Sequence, residues 1–264
     1  MPYQDGDSIL LVGEGNLSFA RALVEIVPRS LLTATVFDSE KIVMEKYPDA
    51  ARNIKAVADS GGAVLFGIDA TKLEGYRKLR NKRFDKIVFN FPHAGAGIKD
   101  QDRNIQINQE LLSSFFLSAL PFLKSRTTYQ DPVDGEIHVT LKEGEPYESW
   151  RIKKLAQMTG LLKCATSFEF VPQIYPGYAH RRTIGFQEGI SKDHNEELQL
   201  KRCRTFVFVR VDAKDDTGTY RPGWNSRHRS RRRRAQDSDR SDSDDAQDGD
   251  GDGLGDEDGS NEAE

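Results

Sequence analysis

Four places in this sequence combine residue types and spacing that suit chemistry on a nucleoside-like ligand. Gly13-Glu14-Gly15-Asn16-Leu17-Ser18 follows a short apolar run and opens a helical stretch, with Phe19 directly after it. Its glycines let the backbone approach a ligand closely, and a helix start offers free amides to a carboxylate or phosphate. Asp38 stands 23 residues after Gly15, at the end of the next apolar run, where a carboxylate typically accepts ribose hydroxyls. Asp69 ends a third run, near where an adenine ring would lie, although an acid before Ala-Thr equally suits a helix cap. Asn90-Phe91-Pro92-His93 closes a fourth run. It offers an amide for a base edge, an aromatic ring for stacking and an imidazole that titrates near neutral pH. Glycines alone would also serve a tight connection without a ligand; the acids at the next two run ends favour a site.

The elements that must position these residues are legible as an alternation. Ser8–Val12 (SILLV), Leu32–Phe37, Ala63–Ile68, Phe84–Phe89, Gly135–Leu141, Cys164–Phe170 and Arg204–Val211 are short apolar or alternating runs that predict seven strands. Between them, Asn16 is placed to cap a helix with Leu17, Ala20, Leu23, Val24 and Val27 on one face. Lys41–Ser60, Asn108–Leu123 and Tyr147–Thr159 predict further helices. Strand–helix alternation over this length predicts an α/β fold with a mostly parallel sheet, helices on both faces and an antiparallel hairpin at its close. In such a sheet, ligands bind outside the carboxyl ends of the strands, which is where the four groups fall.

Composition sets the bounds. The chain has 264 residues, 37% hydrophobic and a net charge of −4. Residues 213–264 carry about −6 of that, so residues 1–212 stand near +2 and form the expected folded domain. The tail holds a basic block at 227–234 (RHRSRRRR) and an acidic low-complexity stretch at 235–264. Too little apolar area is available there to offset ordering entropy, so disorder is expected. Two cysteines, Cys164 and Cys203, make no disulfide framework or metal site alone, and a reduced compartment and no metal are expected. The polar start and the lack of a long apolar run predict neither a secretory signal nor a membrane span.

Ser18 occupies the third-glycine position of the dinucleotide fingerprint, which disfavours a pyrophosphate cofactor and suits S-adenosylmethionine. Asn90-Phe91-Pro92-His93 resembles the Asn/Asp-Pro-Pro-aromatic turn of methyltransferases that alkylate base nitrogens. LLVGEGNLSFA (10–20), NFPHAG (90–95), NQELLSSFFLSA (108–119), GEIHVTLKEGEPYESW (135–150) and YPGYAHRRT (175–183) occur in order. Together they resemble the Rossmann-like class I methyltransferase domain of 25S ribosomal RNA uridine-N3-methyltransferases, over about residues 7–211. The resemblance implies S-adenosylmethionine as donor, a uridine of large-subunit ribosomal RNA in a pre-ribosomal particle as acceptor, and a nucleolar location in the nucleus. Gly13, Glu14, Gly15, Asn16, Ser18, Phe19, Asp38, Asp69 and Asn90 are then the expected cofactor residues, and Asn90, Phe91, Pro92 and His93 the catalytic turn.

Uracil N3–H is mostly protonated at neutral pH, so His93 is the candidate base, or else an orienting hydrogen-bond donor. The reactive edge must be unpaired or flipped out. Tyr175, Tyr178, His180, Arg181 and Arg182 interleave aromatic and basic groups in one Pro-Gly loop, a mixture suited to RNA contact. Two other classes stay open: a non-catalytic RNA-binding module on a degenerate methyltransferase fold, and a nucleotide-dependent enzyme such as a dehydrogenase.

Overall fold

A computed structural model of the chain describes residues 2–95, 100–125, 134–181, 198 and 202–211. Arg182 and the tail from 212 onward lie outside the described residues, and so do the expectations made for them. Seven strands form one sheet: β1 (Ser8–Val12), β2 (Leu31–Thr35), β3 (Ala63–Leu65), β4 (Lys86–Asn90), β5 (Glu136–Lys142), β6 (Leu162–Glu169) and β7 (Cys203–Arg210). Their order is β3-β2-β1-β4-β5-β7-β6. β1 to β5 run parallel, and β7 is antiparallel to both β5 and β6. The chain order reverses between β1 and β4, which opens the crevice that such sheets use for ligands.

Alternation within the central strands divides the core. Leu10, Val12, Ile87, Phe89, Ile137 and Val139 point to one face, against Leu112, Phe115 and Phe116 of α4 (Gln101–Ala119) and Ile152 and Leu155 of α5 (Ile152–Met158). Ile9, Leu11 and Val88 point to the other, against Phe19, Ala20 and Leu23 of α1 (Ser18–Ile26) and Val57 of α3 (Ala50–Asp59). Both faces of a parallel sheet are thus covered, which is why its strands read as continuous apolar runs.

The helix expected over 41–60 is two helices, α2 (Glu40–Lys46) and α3, separated at Tyr47-Pro48-Asp49. Pro48 removes an amide donor and disfavours helical backbone at Tyr47, whose ψ is 102°. α4 begins seven residues before the expected start at Asn108, where Asp100 accepts from the Arg103 amide (2.7 Å). Its first two turns carry mainly polar residues, so no apolar stripe announced them. α1 starts one residue later than the expected cap, because Leu17 takes a left-handed conformation (φ 63°). Asn16 still satisfies a free amide, accepting from Ser18 N at 3.2 Å.

Candidate active site

The glycine turn is shaped by two close approaches. Gly13 has φ +67°, and a Cβ there would lie 2.4 Å from Cε2 of Phe89 on the neighbouring strand. Only glycine satisfies both the backbone and the ring. A Cβ at Gly15 would instead project towards the Tyr47 hydroxyl, at 3.4 Å, filling space above the turn. Asn16 is 4% exposed and knits the turn to α3: its Nδ2 donates to Asp49 (2.7 Å), and its carbonyl accepts from Asn53 Nδ2 (2.8 Å). Glu14 turns back onto α1, accepting from the Ala20 amide (3.2 Å). Burial of its carboxyl pushes the pKa up to about 7, with the Ala20 bond opposing.

Above this turn lies a cleft lined by Gly13, Glu14, Gly15, Asn16, Asp38 and Asn90, which the structure thereby brings together. Asp38 pairs with Lys46 at 2.7 Å. Phe37 is 68% exposed beside it and lines the same cleft with Val36 and Tyr47. Its position just before Asp38 was the signal the sequence offered. Burial pushes the Tyr47 hydroxyl up to about 12, reinforced by Asp38 and opposed by Arg181. The cleft encloses only about 120 Å³, against roughly 300–1,000 Å³ for small-ligand sites. Tyr178, Ala179, His180 and Arg181 form its roof and narrow it.

The fourth strand end meets the cleft from the side. Asn90 closes β4 opposite Thr140 of β5. The Thr140 hydroxyl donates to Asn90 Oδ1 (2.7 Å) and lies 2.9 Å from the Thr205 hydroxyl. With Oδ1 so engaged, Asn90 Nδ2 is left buried without a partner among the described residues. A buried donor with no acceptor costs about 1–3 kcal/mol, an arrangement that a ligand's oxygen would relieve. Phe91 holds φ 51°, a strained conformation for a bulky residue of the kind that gathers at functional sites. Its ring sits edge-on to Phe170 (5.5 Å) and to His180 (4.7 Å); Pro92 is buried behind it. His93 is exposed, and its Nδ1 accepts from the Gly95 amide at 2.9 Å. Partial desolvation of the imidazole, with Lys142 adding to it, lowers its pKa. The imidazole is therefore neutral at pH 7 and carries its proton on Nε2, so the free ring nitrogen is a donor.

Several expected contacts are not in the cleft. Asp69 accepts from both the amide (2.8 Å) and the hydroxyl (2.7 Å) of Thr71, capping the 3-10 turn Ala70–Gly75. Burial opposes its ionisation, but these bonds and Lys72 outweigh it, and the pKa falls. Its capping role is the one realised. Ser18, 1% exposed, exchanges hydrogen bonds with Ala179 N and O (3.0 Å each) and so fastens the roof. Phe19, also 1% exposed, packs on Tyr175 (4.8 Å) and Tyr178 (5.5 Å). Tyr175 is 3% exposed and stacked on Phe170 at 5.3 Å. Tyr178, His180 and Arg181, by contrast, do line the cleft from its roof, with Arg181 reaching Asp49 at 4.0 Å. Of the rings in the Pro-Gly loop, Tyr175 is buried in packing, while Tyr178 and His180 are half-buried at the cleft. Among the described residues no group of three or more His, Cys, Asp or Glu is placed to hold a metal ion, and no helix is long and apolar enough to cross a membrane.

A parallel sheet with an antiparallel penultimate strand, a glycine turn after β1, an acid after β2 and an Asn-Phe-Pro-His turn after β4 defines a Rossmann-like class I methyltransferase domain. The chain belongs to the BMT5-like family, whose model, described as rRNA (uridine-N3-)-methyltransferase BTM5-like, matches residues 10–182. The 25S rRNA (uridine(2634)-N(3))-methyltransferase of Saccharomyces cerevisiae is 32% identical, covering 79% of this chain and 74% of that protein. Heavy metal-associated isoprenylated plant protein 41 of Arabidopsis thaliana is 34% identical over 78% of this chain. Human ferredoxin-fold anticodon-binding domain-containing protein 1 is 34% identical over 76%. The chain spans only 38% and 31% of the length of these last two, so the domain recurs inside longer proteins.

Proposed function

We propose that this protein transfers a methyl group from S-adenosylmethionine to N3 of a uridine in large-subunit ribosomal RNA. The observation that carries the reading is the unpartnered Asn90 Nδ2, fixed by Thr140 at the edge of a cleft floored by the glycine turn. The residues present fit the cofactor. Gly15 would leave room for its methionine end, Asp38 would accept the ribose hydroxyls in place of Lys46, and Phe37 would cover the adenine. Accommodating it requires the Tyr178–Arg181 roof to shift outward. When bound, the cofactor supplies a sulfonium-activated methyl group.

The chain's own residues prepare the acceptor. Asn90 Nδ2–H and His93 Nε2–H are the two donors of the turn, and uracil N3 is flanked by two carbonyl oxygens. Donation to those oxygens stabilises the negative charge that grows as N3 loses its proton to water, and it orients N3 for displacement. Deprotonation is thus promoted by anion stabilisation rather than by a basic imidazole. The basic block at 227–234, with a pre-ribosomal substrate, favours a nucleolar location.

The test incubates the full chain with labelled S-adenosylmethionine and an unstructured large-subunit ribosomal RNA fragment, followed by nucleoside mass spectrometry. The expected product is 3-methyluridine. Asn90→Ala is expected to abolish it while binding S-adenosylhomocysteine within a few-fold of wild type. Methylation of another base, or none by a chain that binds the cofactor product, refutes the reading.

A further inference from the structure

Beyond the cleft, a second cavity of about 440 Å³ opens where β5, β7 and α5 meet. Its walls carry five cations, Lys142, Arg151, Lys153, Lys154 and Arg204, against two acids, Glu143 and Glu148. Arg204 and Glu143 pair at 2.7 Å, which leaves a clear positive excess. The floor is apolar: Leu141, Ile152, Tyr147 and Phe206 line it, and Lys153 Nζ stands 5.6 Å above the Phe206 ring. Aromatic rings under a rim of cations match a nucleotide, whose base stacks and whose phosphate pairs.

The position joins this cavity to the methylation turn. Lys142 of the cavity wall stands two residues beyond Thr140 on β5, about 7 Å along the strand, while the floor residues Leu141 and Phe206 lie on the α5 side of the sheet, opposite Thr140. Lys142 acts electrostatically on His93. On the other side, His93 lies 6.2 Å from the Trp150 ring, and Trp150 packs edge-on to Tyr147 at 4.9 Å. His93 of the turn and Tyr147 of the cavity therefore share Trp150 as a common wall. The turn holding the wall is braced, since Gln109 of α4 donates to Ser149 O (2.9 Å) and Arg151 is locked at φ 51°.

We propose that this cavity binds the nucleotide adjacent to the target uridine, stacking its base on Phe206 and Tyr147 and pairing its phosphate with Lys153, Lys154 and Arg151. It rests on the reading of the protein as an RNA methyltransferase, and it moves the RNA contact from the Pro-Gly loop to the β5–α5 face. A substrate with an unpaired stretch on one side of the uridine is then required, and a fully paired one is excluded.

The experiment measures fluorescence anisotropy of a labelled single-stranded RNA of roughly twelve nucleotides with the full chain, across a salt series. Lys153→Glu/Lys154→Glu is expected to weaken binding at least tenfold and to reduce the slope of log affinity against log salt by about 1.4, the loss of two single-strand phosphate contacts. Lys153→Arg/Lys154→Arg is expected to keep wild-type binding, and Phe206→Ala to weaken it about tenfold. Calorimetry with S-adenosylhomocysteine is expected to give the same affinity for all four proteins. Charge-reversed protein that binds RNA like wild type overturns the cavity's role, as does 5-iodouridine cross-linking confined to peptides outside 141–154 and 202–211. Failure of the wild type to methylate any uridine refutes the enzymatic reading separately, with the RNA arms still judging the cavity.

Discussion

His93 provides the sharpest test of how the proton leaves uracil. Its Nδ1 accepts the Gly95 amide at 2.9 Å, and burial and Lys142 both lower its pKa. The folded value sits below the ordinary 6.5 or so, so the ring is neutral above that point and presents Nε2–H. A general base would give a rate that climbs with pH and then levels once the imidazole is neutral, below about pH 6.5. An Nε2–H donor gives a different curve: the fraction of N3-deprotonated uracil keeps rising, so log kcat/KM climbs with a slope near one through pH 8. His93→Ala removes one hydrogen bond to a developing charge, worth about 1.5–3 kcal/mol, or roughly 10–150-fold in kcat/KM. His93→Gln keeps an N–H donor but has no basic nitrogen, so it should retain most of the activity. The assay is initial methylation rate between pH 6 and 8.5 for the three proteins under single-turnover conditions. A plateau above pH 6.5 in wild type, with Gln as damaging as Ala, would refute the donor assignment and restore the base.

Other expectations follow from the cleft. Asp38→Ala should weaken S-adenosylhomocysteine binding by about 1–3 kcal/mol, read by calorimetry; an unchanged affinity in folded protein would remove Asp38 from the ribose position. Gly13→Ala places a methyl group 2.4 Å from Phe89 at φ +67°, adding a left-handed penalty of about 1–2 kcal/mol to overpacking of about 1–3 kcal/mol. Thermal unfolding should show it, and a melting point equal to wild type would mean the turn relaxes freely. Glu14, at about 7 against an ordinary 4.5, holds its proton more tightly in the folded state than in the unfolded one. Its contribution is full below pH 4.5 and is lost as pH climbs through 7. Glu14→Gln should therefore flatten the fall in denaturant stability over that window, whereas parallel curves for variant and wild type would show the carboxyl to be solvated.

The sequence by itself determined the alternation of strands and helices, because buried parallel strands must be apolar on both faces and leave continuous runs such as Ser8–Val12 and Lys86–Asn90. It also placed the glycine turn, Asp38 and Asn90 at strand ends, and a doubly wound sheet gathers such ends on one edge. What it left open were matters of partner choice. Asp69 and Asp38 look alike along the chain, but Thr71 two residues on absorbs the first into a cap, while only the second faces the cleft. Tyr175 sits close to arginines in sequence, yet packing against Phe19 and Phe170 buries it. The cations of the second cavity are spread over residues 142–204 and share no motif, so nothing local marks them. Likewise, no spacing rule says that Thr140 and Thr205 orient Asn90, since that depends on the β4–β5–β7 register. Local pattern fixes which residues are buried and where strands end. Only the three-dimensional register decides which polar groups spend their hydrogen bonds on each other and which remain for a ligand.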